Sequence, residues 1–131
     1  PLPVEKARSP GVKHKHYAPN AKVVVVEGKL EAVIAEINKL ARFYAERNKK
    51  VGVLASDESA NRYIASVVKS LGSRMDLAVA AKNLFRLLRE FDSEDIDVII
   101  AEGLPTEGFG LAVMNRLRKA SGYNIVKVDD C

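Results

Sequence analysis

A chain of 131 residues is long enough for one ordinary domain with its own core, and 47% hydrophobic with 29% charged residues is the composition of a folded chain, which excludes a disordered or fibrous class. The only cysteine, Cys131, excludes an intrachain disulfide framework, and no apolar run reaches the length of a membrane span, so a trimmed cytoplasmic protein is expected. The net charge of +4 gathers at one end: Lys6, Arg8, Lys13, Lys15 and Lys22 face only Glu5 within residues 1–22, and the two signs balance over 23–131.

Residues 1–21 contain Pro1, Pro3, Pro10, Gly11 and Pro19 and no apolar period, which is the chemistry of an extended, semi-rigid linker. From residue 22 the pattern alternates. Lys22–Glu27 is a continuous β-branched run, as in a strand covered on both faces. Leu30, Ile34, Ile37, Leu40, Ala41 and Tyr44 then recur at helical spacing. Val51–Ala55 reads as a second strand, with Ser56 as the N-cap of a second helix, Asp57 and Glu58 in its first turn, Ala60, Ile64, Val67, Val68 and Leu71 on its buried face, and Gly72 as its stop.

A weaker strand is expected over 75–79, followed by a helix that buries Leu84, Leu87, Leu88 and Phe91 and an acidic loop over 92–97. A strand over 98–101, a helix carrying Leu111, Met114 and Leu117 and closed by Ser121-Gly122, and a strand over 125–128 complete the chain. Five strands alternating with four helices imply right-handed crossovers and a parallel sheet with helices on both faces. The expected fold is thus α/β, a Rossmann-like three-layer sandwich of strand order 3-2-1-4-5 over residues 22–131, preceded by the linker.

Ligands of such folds sit beyond the carboxyl ends of the strands where the chain order reverses, here at Glu27-Gly28-Lys29 and from Glu102-Gly103 onward. The first turn has one glycine where a dinucleotide fingerprint needs three, which argues against NAD or FAD. The loop from Glu102 to Gly110 is glycine-rich but lacks the Lys-Ser/Thr of a P-loop, and Glu102 and Glu107 oppose a phosphate. Tight turns and close helix packing therefore outweigh the second reading, a ligand or partner site at the switch point formed by Gly28, Glu102, Gly103, Gly108 and Gly110. No metal cluster or nucleophile–base pair is apparent, and Arg116, Arg118 and Lys119 fit the negative end of a helix dipole better than a tRNA contact.

The most specific string is Ser9-Pro10-Gly11-Val12-Lys13-His14-Lys15-His16-Tyr17-Ala18-Pro19, which places ammonium, imidazole and phenol groups on a stiff backbone, a set suited to lying over a nucleotide. It resembles the interdomain linker of the two-domain YrdC-type threonylcarbamoyl-AMP synthases, which reads approximately SPGMKYRHYAP. Val12 for Met, His14 for Tyr and Lys15 for Arg are the departures. Asn83-Leu84-Phe85, Leu88-Arg89-Glu90-Phe91-Asp92, Glu102-Gly103-Leu104-Pro105, Gly108-Phe109-Gly110-Leu111-Ala112 and Met114-Asn115-Arg116-Leu117 also resemble that family.

The resemblance implies that residues 1–21 are the linker and 22–131 a C-terminal accessory domain, with the catalytic YrdC-type domain upstream as a partner in the same chain. The implied reaction joins L-threonine, bicarbonate and ATP, with Mg²⁺, into threonylcarbamoyl-AMP for the machinery that modifies tRNA, an indirect route to RNA. Lys13, His14, His16 and Tyr17 are the residues implied to lie over ATP or the product, and the piece alone is expected to bind no cofactor and to be inactive. His14 lacks the phenol of the family tyrosine, and Lys15 loses the bidentate fork of arginine. The alternative is a stand-alone, non-catalytic α/β ligand-sensing or docking module with a basic tail.

Overall fold

The structure is a computed structural model that describes residues 19–128, so the linker string, with Lys13, His14, His16 and Tyr17, lies outside the described residues. Five strands, β1 (Lys22–Glu27), β2 (Val51–Ala55), β3 (Val67–Ser70), β4 (Val98–Glu102) and β5 (Ile125–Lys127), form one parallel sheet of order β3-β2-β4-β1-β5. Three α-helices accompany them among the described residues: α1 (Leu30–Ala45), α2 (Leu77–Ser93) and α3 (Phe109–Ala120).

Alternation along each strand sends side chains to two cores. Val23, Val25, Leu54, Ile99 and Ala101 pack with α2 and α3 through Leu84, Leu88, Phe91, Val113, Met114 and Leu117. Val26, Val51, Val53, Val98 and Ile100 face the other way, toward Val33, Ile34, Ile37 and Ala41 of α1. Both faces are covered, which is why β1, β2 and β4 are nearly all apolar.

The α/β class, the parallel sheet and the five-strand count are as the sequence indicates, and the two inner strands exchange places relative to the expected 3-2-1-4-5. β1 pairs with β4 in either arrangement, with Val24 opposite Ile100. The chain leaves β1 toward β2 by way of α1 on one face, and leaves β4 toward β5 by way of α3 on the other. The reversal of direction therefore still falls between the carboxyl ends of β1 and β4.

The second expected helix does not form. Residues 56–71 hold only a 3₁₀ turn, Ala60–Arg62, and then β3, so the third strand is Val67–Ser70 and not 75–79. Side chains capture the backbone groups that a helix would have paired internally. Asn38 Oδ1 accepts the Ile64 N–H at 3.0 Å, and Asn38 Nδ2 donates to the Arg62 carbonyl at 3.1 Å. Ser70 then bonds Asp57 at 2.6 Å, and Gly72 turns the chain at φ +125°. Residues 75–79 instead lead into α2, where Asp76 accepts the Val79 N–H at 3.4 Å as the N-cap. Of the acidic segment expected as a loop over 92–97, Asp92 and Ser93 instead close α2 and only residues 94–97 form the loop, with Asp97 accepting the Lys50 N–H at 2.8 Å.

Candidate functional site

Where β1 and β4 end side by side, the Gly103 N–H donates to the Val26 carbonyl at 2.8 Å, and a Cβ on Gly103 would lie 2.7 Å from that oxygen. Gly28, at φ +147°, passes as closely under Val128, 2.7 Å from where its Cβ would be. These two glycines let the connections diverge and open a cleft of about 340 Å³ between them. Glu27, Lys29 and Leu30 line one side, and Arg74, Leu104, Pro105 and Thr106 the other.

Behind the cleft, at the end of β4, Glu102 is 1% exposed. A buried carboxylate must be neutralised and hydrogen-bonded. Glu102 receives Ser56 Oγ at 2.6 Å and Arg74 Nη1 at 2.5 Å on Oε2, and Tyr63 Oη at 2.7 Å and Ser59 Oγ on Oε1. Four donors match the acceptor capacity of a carboxylate, so Glu102 serves as a structural anchor with no lone pair left for general-base work. Burial, reinforced by the Glu102 charge, pushes the Tyr63 phenol well above its ordinary range and keeps it a donor.

Ser56 is thus a ligand of Glu102 and not a helix cap, and Asp57 and Glu58 belong to loop contacts and not to a first helical turn. Glu58 accepts the Arg74 N–H at 2.8 Å and Ser73 Oγ at 2.5 Å, which fixes the loop carrying Arg74. Glu27 is held bidentately by Arg118, Nε to Oε2 at 2.8 Å and Nη2 to Oε1 at 2.9 Å. Arg118 is therefore bound to the sheet end and is not part of a free basic turn.

Of the switch-point residues named from sequence, Gly28 and Gly103 line the cleft and Glu102 lies behind Arg74. Gly108 and Gly110 stand at the start of α3, outside the lining. Gly110 is there for packing, since its Cβ would fall 1.8 Å from the Pro105 carbonyl oxygen. Sequence reasoning missed Arg74, Ser59 and Tyr63, and named Lys29 only as part of the turn after β1. The available signal was Glu102 itself, an ionisable residue ending a wholly apolar strand and therefore in need of a cation nearby. No group of three or more His, Cys, Asp or Glu among the described residues is placed to hold a metal ion, and none of their helices is long and apolar enough to cross a membrane.

Hydrogen bonds hold three surface carboxylates of this domain below the ordinary value of 4.5: from Arg62 to Glu31, from the Arg74 N–H to Glu58, and from Arg86 to Glu90. Depressed folded-state values contribute stability that is complete above the unfolded value and is lost as pH falls through the folded one. Urea midpoints are accordingly expected to stay level near neutrality and to decline below about pH 4.5. A midpoint that rose on acidification would contradict these pairings.

The family model described as threonylcarbamoyl-AMP synthase, C-terminal domain, matches residues 3–122. The threonylcarbamoyl-AMP synthase of Pyrococcus abyssi is 49% identical over 95% of this chain, which spans 35% of that relative. The crystal structure of P. abyssi Sua5 complexed with L-threonine is 48% identical with a TM-score of 0.78, over 97% of this chain and 36% of that one. The crystal structure of a C-terminal Sua5 domain from Pyrococcus horikoshii is 50% identical with a TM-score of 0.70, and the match covers 85% of this chain and all (100%) of that one. The chain belongs to the family of threonylcarbamoyl-AMP synthase C-terminal domains.

Proposed function

We propose that the chain is the linker and C-terminal domain of an enzyme that joins L-threonine, bicarbonate and ATP into threonylcarbamoyl-AMP, releasing pyrophosphate, for threonylcarbamoyladenosine formation in cytoplasmic tRNA. The observation that carries this reading is 49% identity, over 95% of the chain, to a relative named for that product. Because the chain spans only 35% of that relative, the reaction centre, with its ATP and Mg²⁺, is assigned to a catalytic domain that precedes Pro1. A domain whose buried carboxylate is saturated by its own donors fits an accessory role.

In this reading residues 1–21 close over the catalytic cavity, with Lys13, His14, His16 and Tyr17 toward the nucleotide. The purified 131-residue chain, given threonine, bicarbonate, ATP and Mg²⁺, is expected to yield no threonylcarbamoyl-AMP, and a longer protein that includes the upstream domain is expected to yield it. Product from the short chain would overturn the assignment. In the longer protein, Tyr17→Ala is expected to weaken ATP retention or turnover and to leave the melting temperature of the C-terminal domain unchanged, because truncating a side chain outside the core opens no cavity. A matching loss of melting temperature in the short chain would make residues 1–21 part of the domain's own fold.

A further inference from the structure

We propose that the cleft between Gly28 and Gly103 binds the oxyanion group, phosphate or carboxylate, of a small metabolite. Its volume of about 340 Å³ falls within the range of small-molecule sites, and Leu30, Leu104 and Pro105 give it apolar walls around Lys29, Arg74 and Thr106. The carrying observation is Arg74. Among the described residues, the hydrogen bonds of its guanidinium leave from Nη1, to Glu102 Oε2 and to the Gly103 carbonyl at 3.1 Å. Nε and Nη2 belong to a side chain only 16% exposed and have no acceptor among the described residues. A guanidinium edge left without a protein acceptor matches two oxygens of a carboxylate or phosphate.

The two carboxylates that end β1 and β4 do not oppose such a ligand, and Glu107 lies outside the lining of the cleft. Glu102 is neutralised by Arg74 and hydrogen-bonded by three hydroxyls, and Glu27 is neutralised by the fork of Arg118. Lys29 lies at the edge of the cleft as the N-cap of α1, and no side chain caps that helix, so its first amides present the positive end of the dipole on the same side. The sequence objection that Glu102 would repel an anion is removed by the network that saturates it.

The test is an amide chemical-shift titration of the 131-residue chain with sodium pyrophosphate and, separately, sodium malonate, at constant ionic strength. Saturable shifts confined to residues 28–30 and 103–106 are expected, and the probe that saturates at lower concentration assigns the oxyanion to a phosphate or a carboxylate source. Arg74→Lys, which keeps a cation beside Glu102 but loses the fork, is expected to weaken binding at least about tenfold. Lys29→Glu, at an exposed position and harmless to the core, is expected to do the same and decides the matter if Arg74→Lys fails to fold. Shifts confined to residues 1–18, shifts that do not saturate with either probe, or affinities unchanged in Lys29→Glu would each overturn the proposal.

Discussion

Arg74→Ala is expected to destabilise the domain by about 3–5 kcal/mol, measured as a lowered urea midpoint, because it strands a carboxylate in the interior. Glu102 is 1% exposed, and the Arg74 guanidinium is its counter-charge at 2.5 Å. Ser56, Ser59 and Tyr63 would remain as neutral donors, which solvate the carboxylate but do not balance its charge. Glu102→Gln removes the charge and leaves an amide oxygen for the hydroxyls, so it should cost less than Arg74→Ala. The double variant should then be less destabilised than the two single losses combined, since each residue's cost arises from leaving the other unpaired. Additive losses would show that Arg74 contributes by packing its stem and not by compensating Glu102.

The consequence reaches the carboxyl end of the sheet, because this network joins the connections that follow β2, β3 and β4. Ser56 and Ser59 come from the first, Arg74 from the second, and Glu102 is the last residue of β4. Loss of the ion pair should therefore loosen the cleft wall formed by Arg74, Leu104 and Pro105 before the opposite end of the sheet. Hydrogen exchange would read this as reduced protection at residues 71–76 and 103–106.

The layers were legible in the sequence, but the expected order 3-2-1-4-5 had the two inner strands exchanged, for a physical reason. β1 and β4 are both short apolar runs buried on both faces, so periodicity says that each is central without saying which neighbours β2. Exchanging them preserves α1 on one face and α2 with α3 on the other, and it preserves the reversal between β1 and β4. The location of the cleft was therefore readable at Gly28 and Gly103 even though the strand order was not.

Residues 56–71 misled for a different reason. Ala60, Ile64, Val67, Val68 and Leu71 fit a helical face by spacing, yet the local hydroxyls and the phenol are engaged by a carboxylate 39 to 46 residues away. A tertiary contact of that separation leaves no local pattern. The β-branched pair Val67-Val68 was the remaining hint of a strand. At the other helix ends the signals were local, as with Ser121-Gly122, where Gly122 adopts φ +63° just after α3. Charge patterning was equally silent about Arg118, whose partner Glu27 is 91 residues distant.

Phe91→Ala is expected to cost about 3–5 kcal/mol, the range for emptying an aromatic site in a well-packed core. Phe91 is fully buried on α2, and its ring lies over β2 at the one place where that strand has no side chain. A Cβ on Gly52 would be 2.6 Å from Phe91 Cε1 and 3.2 Å from Ile96 Cγ2, so the glycine is required by the ring above it and not by its backbone angle. Gly52→Ala should consequently destabilise the native domain by about 1–3 kcal/mol through overpacking, against the usual gain from replacing a strand glycine. In the Phe91→Ala background the closest obstructing atoms are gone, and the added methyl occupies part of the vacated space. There Gly52→Ala should be neutral or stabilising, a coupling between the two positions that urea denaturation of the four proteins would measure. Equal effects of Gly52→Ala in both backgrounds would mean that α2 does not seat on β2 at Gly52, and the packing of α2 on the sheet would have to be redrawn.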